Sequence, residues 1–238
     1  MNKKIADKIL DEMHRNYDSI AESFSQTRNY LGSDAVSLLG GNLKAGDRIL
    51  DIGCGNGRFF PFFKDAGADY AGIDSSEKLV AIAAAKFPEA NFTVADALNL
   101  PFGANEFDLA ISFAVLHHVP SKEYRLNFFK EAWRVLKPRG KFIATVWDLR
   151  PFRLIRTRQW KRFKNYAAAQ IGIVFGAKKL DFGDFFIPWQ NRYQRYVHAF
   201  GLRELEKLTK TAGFEIEKSG ILGSGKKESN LYIIARKA

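Results

Sequence analysis

The chain contains one cysteine and no long apolar run, and each shortage excludes a class of protein. A single cysteine rules out a disulfide framework, and without a cluster of cysteine and histidine we expect no structural zinc or other metal site. No stretch approaches the ~20 apolar residues that a transmembrane helix needs. The first residues include lysines but no apolar segment of an export signal, so we expect a cytoplasmic protein.

Acidic residues are too few to balance the basic ones, since 26 Asp and Glu face 37 Lys and Arg, a net charge of +11. Most of the imbalance lies between Trp147 and His198, where eleven basic and three acidic residues leave 11 − 3 = +8. Eleven aromatic residues follow Trp147 in the same window. Most charge runs are solvated helix faces, but basic side chains interleaved with aromatic ones also bind phosphates and unstacked bases. We therefore expect a polyanionic substrate.

Three glycines at alternating positions follow a short apolar segment that contains an acid. Residues 48–57 read RILDIGCGNG, with Asp51 near the end of the apolar segment. This order predicts a buried strand that turns sharply into a helix and leaves its backbone open to a ligand. We interpret Cys54, inside the loop, as a small residue that fits the tight turn rather than as a reactive thiol.

Acids also close the predicted strands that come next. Asp74 lies 74 − 51 = 23 positions after Asp51, about where a doubly wound sheet presents a carboxylate to ribose hydroxyls. Asp96 ends a third apolar segment. Further strands are predicted over 69–73, 91–95, 107–113 and 141–147, with helices over 77–87 and 122–136. Such alternation predicts a parallel α/β sheet that binds ligands at the carboxyl ends of its strands.

Taken in this order, the motifs resemble the class I S-adenosylmethionine-dependent methyltransferases over about residues 40–150. The resemblance implies a Rossmann-like α/β fold: a seven-stranded, mostly parallel sheet with helices on both faces and a C-terminal antiparallel hairpin. It also implies S-adenosyl-L-methionine as the cofactor. A nicotinamide-binding domain would need glycine at position 58 or 60, where this chain has Arg58 and Phe60.

The same resemblance assigns cofactor contacts to the residues that match its motifs. The methionine end would be lined by Asp51, Gly53, Gly55 and Gly57. Asp74 would bind the ribose hydroxyls, and Asp96 with Ala97 would face the adenine. The other expected cofactor contacts are Ser75, Ser112, Tyr17 and Arg28.

A second resemblance spans nearly the whole chain. Residues 17–28 (YDSIAESFSQTR) and 184–189 (DFFIPW) are similar to the wobble-uridine tRNA methyltransferases, which methyl-esterify 5-carboxymethyluridine in the anticodon loop. It implies the tRNA anticodon stem-loop as partner, and eukaryotic members of that family also work with a small zinc-binding activator protein. Residues 175–181 and the basic stretch before them do not align with the family.

Methyl-ester formation makes small demands on the protein, because a carboxylate is already ionised at pH 7. The site needs alignment of the reactants and a cation that holds the acceptor carboxylate, for which arginine is best suited. His117 and His118 both follow the fourth strand, and we prefer His118. Arg28 would bind either the substrate carboxylate or that of the cofactor. The predicted substrate-handling residues are Arg28, His118, Trp189 and Arg195.

We expect one domain over residues 1–238, with a cap helix over 1–28 and a basic aromatic insertion over 148–200. A helix over 203–212 precedes a closing hairpin over 214–221 and 230–236. The turn of that hairpin is predicted at Gly220, Gly223, Ser224 and Gly225.

Two other functions remain open from the sequence. A small-molecule or lipid-quinone methyltransferase could use Phe152, Ile155, Phe163 and Tyr166 in a basic amphipathic helix on an anionic membrane. An RNA-binding module without activity would also carry the basic insertion. The intact glycine loop with Asp74 and Asp96 argues against the second alternative.

Overall fold

The computed structural model describes residues 1–28, 32–189, 192–223 and 229–238. Its strands are β1 (Arg48–Ile52), β2 (Asp69–Asp74), β3 (Asn91–Val94), β4 (Phe107–Phe113), β5 (Leu136–Trp147), β6 (Asp184–Trp189), β7 (Tyr193–His198), β8 (Phe214–Leu222) and β9 (Asn230–Lys237). Seven of them form one sheet in the order β3-β2-β1-β4-β5-β9-β8, and β6 pairs with β7 in a separate hairpin. Strands β1 to β5 are parallel and β9 is antiparallel to both its neighbours. The predicted fold class is confirmed.

Helices cover both faces of the sheet. They are α1 (Lys3–Thr27), α2 (Ser33–Leu39), α3 (Phe60–Asp65), α4 (Glu77–Lys86), α5 (Lys122–Val135), α6 (Pro151–Arg156), α7 (Trp160–Val174) and α8 (Leu202–Thr211), with a 3₁₀ turn over Leu116–His118. Helices α2 and α3 contribute to the apolar core on one face, and α5 and α8 contribute to the core on the other. Among the described residues, no helix is both long and apolar enough to span a bilayer.

Alternate side chains of a strand pack into the apolar cores on opposite faces of the sheet. In β1, Leu50 and Ile52 pack with Phe129 of α5, whereas Ile49 packs on the other face with Phe63 and Tyr70. Successive side chains of a strand point to opposite faces, so Asp51 shares the face of Ile49. This alternation determines the surroundings of Asp51.

The boundary between α5 and β5 differs from the prediction, which extended the helix to residue 136 and began the strand at 141. Helix α5 ends at Val135, and Leu136 already pairs with Phe107 of β4. Pro138 explains the early end, because a proline disfavours helical backbone at the residue before it and cannot donate to a helical hydrogen bond.

The segment between β5 and α8 packs as a unit of its own. Leu149, before α6, and Leu154 and Ala169, within α6 and α7, form an apolar cluster with Phe185 and Val197 of the β6–β7 hairpin. Helix α1 packs on the same hairpin, since Ile9 and Met13 contact Tyr196. The closing hairpin, β8 with β9, is present as predicted, but Gly220 lies within β8 opposite Tyr232 rather than in the expected turn. Ser224 and Gly225 of that turn lie outside the described residues.

Candidate active site

A cavity of about 450 Å³ lies at the carboxyl ends of the parallel strands, with α1 contributing to its wall. Over β1, β2 and β3 its lining includes Gly53, Gly55, Asp74, Ser75, Asp96 and Ala97, here called the glycine-loop half. Next to β4, β5 and the β6–β7 hairpin it includes Tyr17, Val115, His118, Trp147, Arg153, Arg162 and Arg195, here called the aromatic half. The strand order reverses between β1 and β4, which is where open α/β sheets bind ligands.

The glycine loop is held against the end of β2 by backbone hydrogen bonds. The amides of Gly53 and Cys54 both donate to the Ile73 carbonyl at 2.8 Å. One carboxylate oxygen of Asp74 accepts from the Gly55 amide and the other from the Ser76 amide, each at 2.9 Å. Burial raises the pKa of Asp74, and these two amides oppose the shift. The carboxylate is thereby held in one orientation at the cavity.

The three glycines have different roles, although all have positive φ. A Cβ on Gly53 would lie 2.3 Å from a methyl of Val115, which lines the cavity. A Cβ on Gly55 would lie 3.4 Å from the Phe24 ring. Gly57 lies outside the lining of the cavity. A Cβ there would approach the Phe92 ring to 2.7 Å, so the absence of a side chain allows that ring to pack, and the predicted cofactor contact of Gly57 stays a prediction.

Asp51 and Ser112 were also predicted to contact the cofactor, but neither lines the cavity. Asp51 is buried and accepts a hydrogen bond from the Tyr70 hydroxyl at 2.7 Å. Burial raises its pKa to about 7, against the opposing effect of that hydrogen bond. Ser112 is buried and donates to the Ile52 carbonyl at 3.1 Å. Both side chains support the strand ends beneath the loop.

Arg195 is the central cation of the aromatic half. Its guanidinium carbon lies 4.2 Å from the ring centroid of Trp189 and 4.5 Å from that of Trp147. Only 7% of the residue is exposed, and it forms no ion pair with any residue that the structure describes. Burial lowers its pKa, and the guanidiniums of Arg28 and Arg162 add to that shift. Trp189 lies outside the lining and acts on the cavity through Arg195.

Tyr17 and His118 form a hydrogen-bonded relay beside Arg195. His118 Nδ1 lies 2.8 Å from the Tyr196 carbonyl, which only accepts, so Nδ1 carries the proton. Burial, together with Arg195, lowers the pKa of His118 to about 3, so the ring is neutral and its Nε2 accepts from the Tyr17 hydroxyl at 3.0 Å. The Tyr17 oxygen in turn interacts with Arg195. The neighbouring His117 is fully buried between Trp147 and His118 and does not line the cavity.

Arg28 lines the cavity at the end of α1, with its guanidinium 4.4 Å from the Phe24 ring. Asn56 of the glycine loop holds this helix end in place. Its Nδ2 donates to the Arg28 carbonyl at 3.0 Å and to the Ser25 hydroxyl at 3.1 Å. The glycine loop and the end of α1 are therefore coupled.

Comparisons with known proteins agree with this geometry. The family model described as methyltransferase domain matches residues 50–144. The chain is 33% identical to the tRNA (carboxymethyluridine(34)-5-O)-methyltransferase of Schizosaccharomyces pombe, over 94% of this chain and 96% of that protein. This chain belongs to that methyltransferase family. It is 40% identical over 57% of its length to the Arabidopsis thaliana enzyme of the same name, and it spans about a third of that longer protein.

Solved structures place the methyltransferase in the same fold. A SAM-dependent methyltransferase from Methanosarcina mazei superposes with a TM-score of 0.70 at 25% identity, covering 84% of this chain and 96% of that one. A putative methyltransferase from Haloferax volcanii, solved in complex with the Trm112 methyltransferase activator, has a TM-score of 0.62 at 16% identity, covering 92% and 96%. The second likeness concerns the fold alone.

S-adenosyl-L-methionine is the methyl donor of this methyltransferase, and the glycine-loop half fits it. Gly53 and Gly55 line the cavity with positive φ, a backbone conformation that side chains rarely adopt, while Asp74 and Asp96 offer carboxylates at the ends of β2 and β3. The Asp96 carboxylate is oriented by the Leu98 amide at 2.8 Å. Bound there, the cofactor supplies an electrophilic methyl group.

Sequence reasoning missed several residues of the methyltransferase site. Trp147 ends β5 and stacks on Arg195, and the rule that ligands bind at strand ends would have found it. Arg153 and Arg162 lie in the predicted basic insertion, but no local signal separates them from their exposed neighbours. Asn56 was not singled out, because it lies between two glycines of the motif.

Proposed function

We propose that this methyltransferase converts the carboxylate of 5-carboxymethyluridine, at the wobble position of a tRNA anticodon, into its methyl ester. The activity named for the Schizosaccharomyces pombe relative supports the proposal, because the two proteins align along nearly their whole lengths. The observation that carries it is Arg195, a buried guanidinium without an acidic partner among the described residues. Burying an unpaired charge is costly, and an anionic substrate would supply the missing counter-ion.

The proposed chemistry needs orientation rather than proton transfer. The acceptor carboxylate is ionised at neutral pH, so the protein must align it with the methyl donor. Arg195 suits this role because its planar fork can hold both oxygens and is itself held between two indole rings. Its Nε is buried and makes no hydrogen bond to the described residues, which leaves that donor for a ligand.

Tyr17 and His118 would act as positioning residues in this scheme. His118 is neutral and its Nε2 already accepts from Tyr17, so it is poorly placed to take a proton from a substrate. The relay from the Tyr196 carbonyl through His118 instead holds the Tyr17 oxygen toward Arg195. A cation with fixed neighbours loses less freedom when it binds the carboxylate.

Methyl transfer from labelled S-adenosyl-L-methionine to tRNA that lacks the wobble ester tests the proposal. Label in the anticodon loop that mild alkali releases would identify a carboxyl methyl ester. Alkali-stable label would place the acceptor on a base or ribose atom and contradict the ester. Absence of label in tRNA, with cofactor binding intact, would favour a small-molecule substrate or a missing activator partner. A cytoplasmic location belongs to this proposal, because tRNA is the substrate.

We also propose an activator protein of the Trm112 type as a partner, as found with the Haloferax volcanii methyltransferase. The support from this chain is β3, which ends the sheet and exposes Val94 at 46%. An open edge strand can accept a strand from another protein. Residues Asp96 and Ala97 of the cavity follow β3 directly, so a partner there would contact the cofactor side of the site.

Co-purification with such an activator tests the partner. Val94→Asp should abolish the complex, whereas Ile221→Asp, at the opposite edge strand and 53% exposed, should leave it intact. An unchanged complex with Val94→Asp would contradict the assignment to β3.

A further inference from the structure

The positive charge of the chain is concentrated in one helical segment. Between Leu149 and Leu180 there are nine lysines and arginines and no acidic residue. Arg150 and Arg153 pair with Asp148, just outside this range. Four others are exposed and form no ion pair with any residue that the structure describes; we call them the corner cations: Arg156, Arg158, Lys161 and Lys164. They are free to bind an external anion.

The corner cations surround the tight turn between α6 and α7. Helix α6 ends at Arg156 and α7 begins at Trp160, and the Gln159 amide closes the turn on the Leu154 carbonyl at 2.8 Å. Arg158 has a φ of +56°, which is uncommon for a residue other than glycine. The turn therefore brings the cations of two helices together.

Two exposed aromatic rings flank this turn in sequence, Phe152 in the first turn of α6 and Trp160 at the start of α7. Phe152 is 75% exposed and Trp160 is 50% exposed. The Trp160 ring packs edge-to-face on Phe163 at 6.2 Å, and Phe163 belongs to the apolar cluster beneath α7. Exposed rings beside cations are the arrangement on which single-stranded bases stack while their phosphates are neutralised.

The corner is continuous with the aromatic half of the cavity. Arg153, Gln159 and Arg162 line that half, and they are the sequence neighbours of Phe152, Trp160 and Lys161. The inner side of α7 is fixed to the β6–β7 hairpin, since Gln170 donates to the Asp184 carbonyl at 3.1 Å and accepts from the Gly183 amide at 2.8 Å. The corner is thus a fixed rim of the cavity.

We propose that the α6–α7 corner binds the unpaired nucleotides that flank the target uridine in the anticodon loop. Their bases stack on Phe152 and Trp160, and their phosphates pair with the corner cations. The proposal rests on the tRNA activity proposed above. Continuity with the acceptor cavity favours RNA over a lipid surface, which would instead use the exposed apolar residues at the far end of α7, Ile171, Val174 and Phe175.

Binding of a fluorescent anticodon stem-loop RNA carrying 5-carboxymethyluridine tests this assignment. Phe152→Ala and Trp160→Ala should each weaken affinity about tenfold, the effect of losing one stacked base. The fourfold variant R156Q/R158Q/K161Q/K164Q should reduce the slope of log Kd against log salt by about 3, since each single-strand phosphate contact contributes about 0.7. In methyl transfer, KM for RNA should rise while kcat and the affinity for S-adenosyl-L-methionine stay unchanged.

Matched controls separate the corner from general effects of charge and exposure. Phe175→Ala removes a ring that is 81% exposed at the other end of α7, about 22 Å away by helical rise. R203Q/K207Q/K210Q/K218Q removes four exposed cations from α8 and β8. Both controls should keep RNA affinity within twofold.

Four results would overturn the proposal. One is RNA affinity within twofold for both aromatic variants, with an unchanged salt slope. Another is wild-type binding to phosphatidylserine vesicles that Trp160→Ala abolishes while RNA binding stays intact, which would assign the corner to lipid. Failure of the wild-type protein to methylate any tRNA in the presence of the activator would reject the proposed function, and the corner assignment with it. Normal tRNA methylation with unaffected corner variants would reject the corner alone.

Discussion

The two halves of the cavity are built in opposite ways. The glycine-loop half comes from one run of the chain, residues 53–97, in which each βα connection adds a glycine or a carboxylate. The aromatic half combines Tyr17, His118, Trp147 and Arg195, which come from four distant segments. The half proposed to bind the methyl donor is therefore local in sequence, whereas the half proposed to bind the acceptor depends on long-range packing.

The halves also differ in how completely their polar groups are satisfied. Asp74 has both carboxylate oxygens bonded to backbone amides. Arg195 has no acidic partner among the described residues, and its Nε is without a hydrogen bond there. A buried polar group without a partner raises the free energy of the free protein, and a ligand that satisfies it recovers that free energy. This difference supports the proposal that the aromatic half binds an anionic substrate.

The largest effect should come from removing the cation of the aromatic half. Arg195→Ala should lower kcat/KM for tRNA about 1000-fold, as expected when a preorganised charged donor is lost. Arg195→Lys should recover little, because an ammonium can neither stack between Trp147 and Trp189 as a planar group nor hold two oxygens. Calorimetry should show S-adenosyl-L-methionine affinity within twofold of wild type. An equal loss of S-adenosyl-L-methionine affinity would mean that Arg195 contributes to cofactor binding, and would contradict the division of the cavity into two halves.

Asp51 provides a pH test beneath the glycine-loop half. Its folded pKa of about 7 exceeds the unfolded value, so the folded state binds more protons between about pH 4 and 7 and stability falls as pH rises through that window. Asp51→Asn removes this loss. As the pH rises from about 4 to 7, the free energy of unfolding of Asp51→Asn should therefore increase relative to that of wild type. The increase should reach up to about 4 kcal/mol, at about 1.4 kcal/mol per pKa unit.

Urea denaturation of both proteins at pH 4, 5.5 and 7 measures the difference. Asp69→Asn, at the exposed start of β2, is the matched Asp-to-Asn control. A constant difference between Asp51→Asn and wild type would mean that Asp51 is ionised in the folded protein.

Gly53→Ala should disable the glycine-loop half specifically. The added Cβ would approach Val115 to 2.3 Å at a φ of +82°, so the loop must shift. We expect cofactor affinity to fall about 100-fold by calorimetry, near 2.7 kcal/mol. Gly41→Ala, where a Cβ meets nothing within 4 Å, should bind normally. Unchanged cofactor binding by Gly53→Ala would show that the loop backbone does not bind the cofactor.

The smallest effect should come from Tyr17→Phe, which tests whether Tyr17 of α1 serves the acceptor or the cofactor. The hydroxyl bonds to His118 and interacts with Arg195, so its loss should lower kcat/KM for tRNA about tenfold. Cofactor affinity should hold, whereas the sequence predicted that Tyr17 contacts the cofactor. Tyr193→Phe, whose hydroxyl bonds to no described residue, serves as control. A selective loss of cofactor affinity would favour the original expectation.

Several parts of the site could be predicted because their signals are local. The glycine spacing, Asp74 and Asp96 follow from strand-to-helix turns, in which residue type and backbone conformation are linked within a few positions. Asp51 shows the limit of this reasoning. Its position at the end of the strand was predicted correctly. Its side chain lies on the face of the sheet that carries Tyr70, and which face that is depends on how the helices pack against the sheet.

The amino-acid sequence by itself determined the sheet, the glycine loop and the presence of a basic aromatic segment, because each depends on periodicity or on residues close together in the chain. Only the tertiary structure decided that Arg195 lies between Trp147 and Trp189, that Tyr17 reaches His118 across 101 positions, and that Arg153 and Arg162 enter the cavity while the corner cations stay outside. These contacts arise where separate elements pack together, and no local pattern specifies how distant side chains meet.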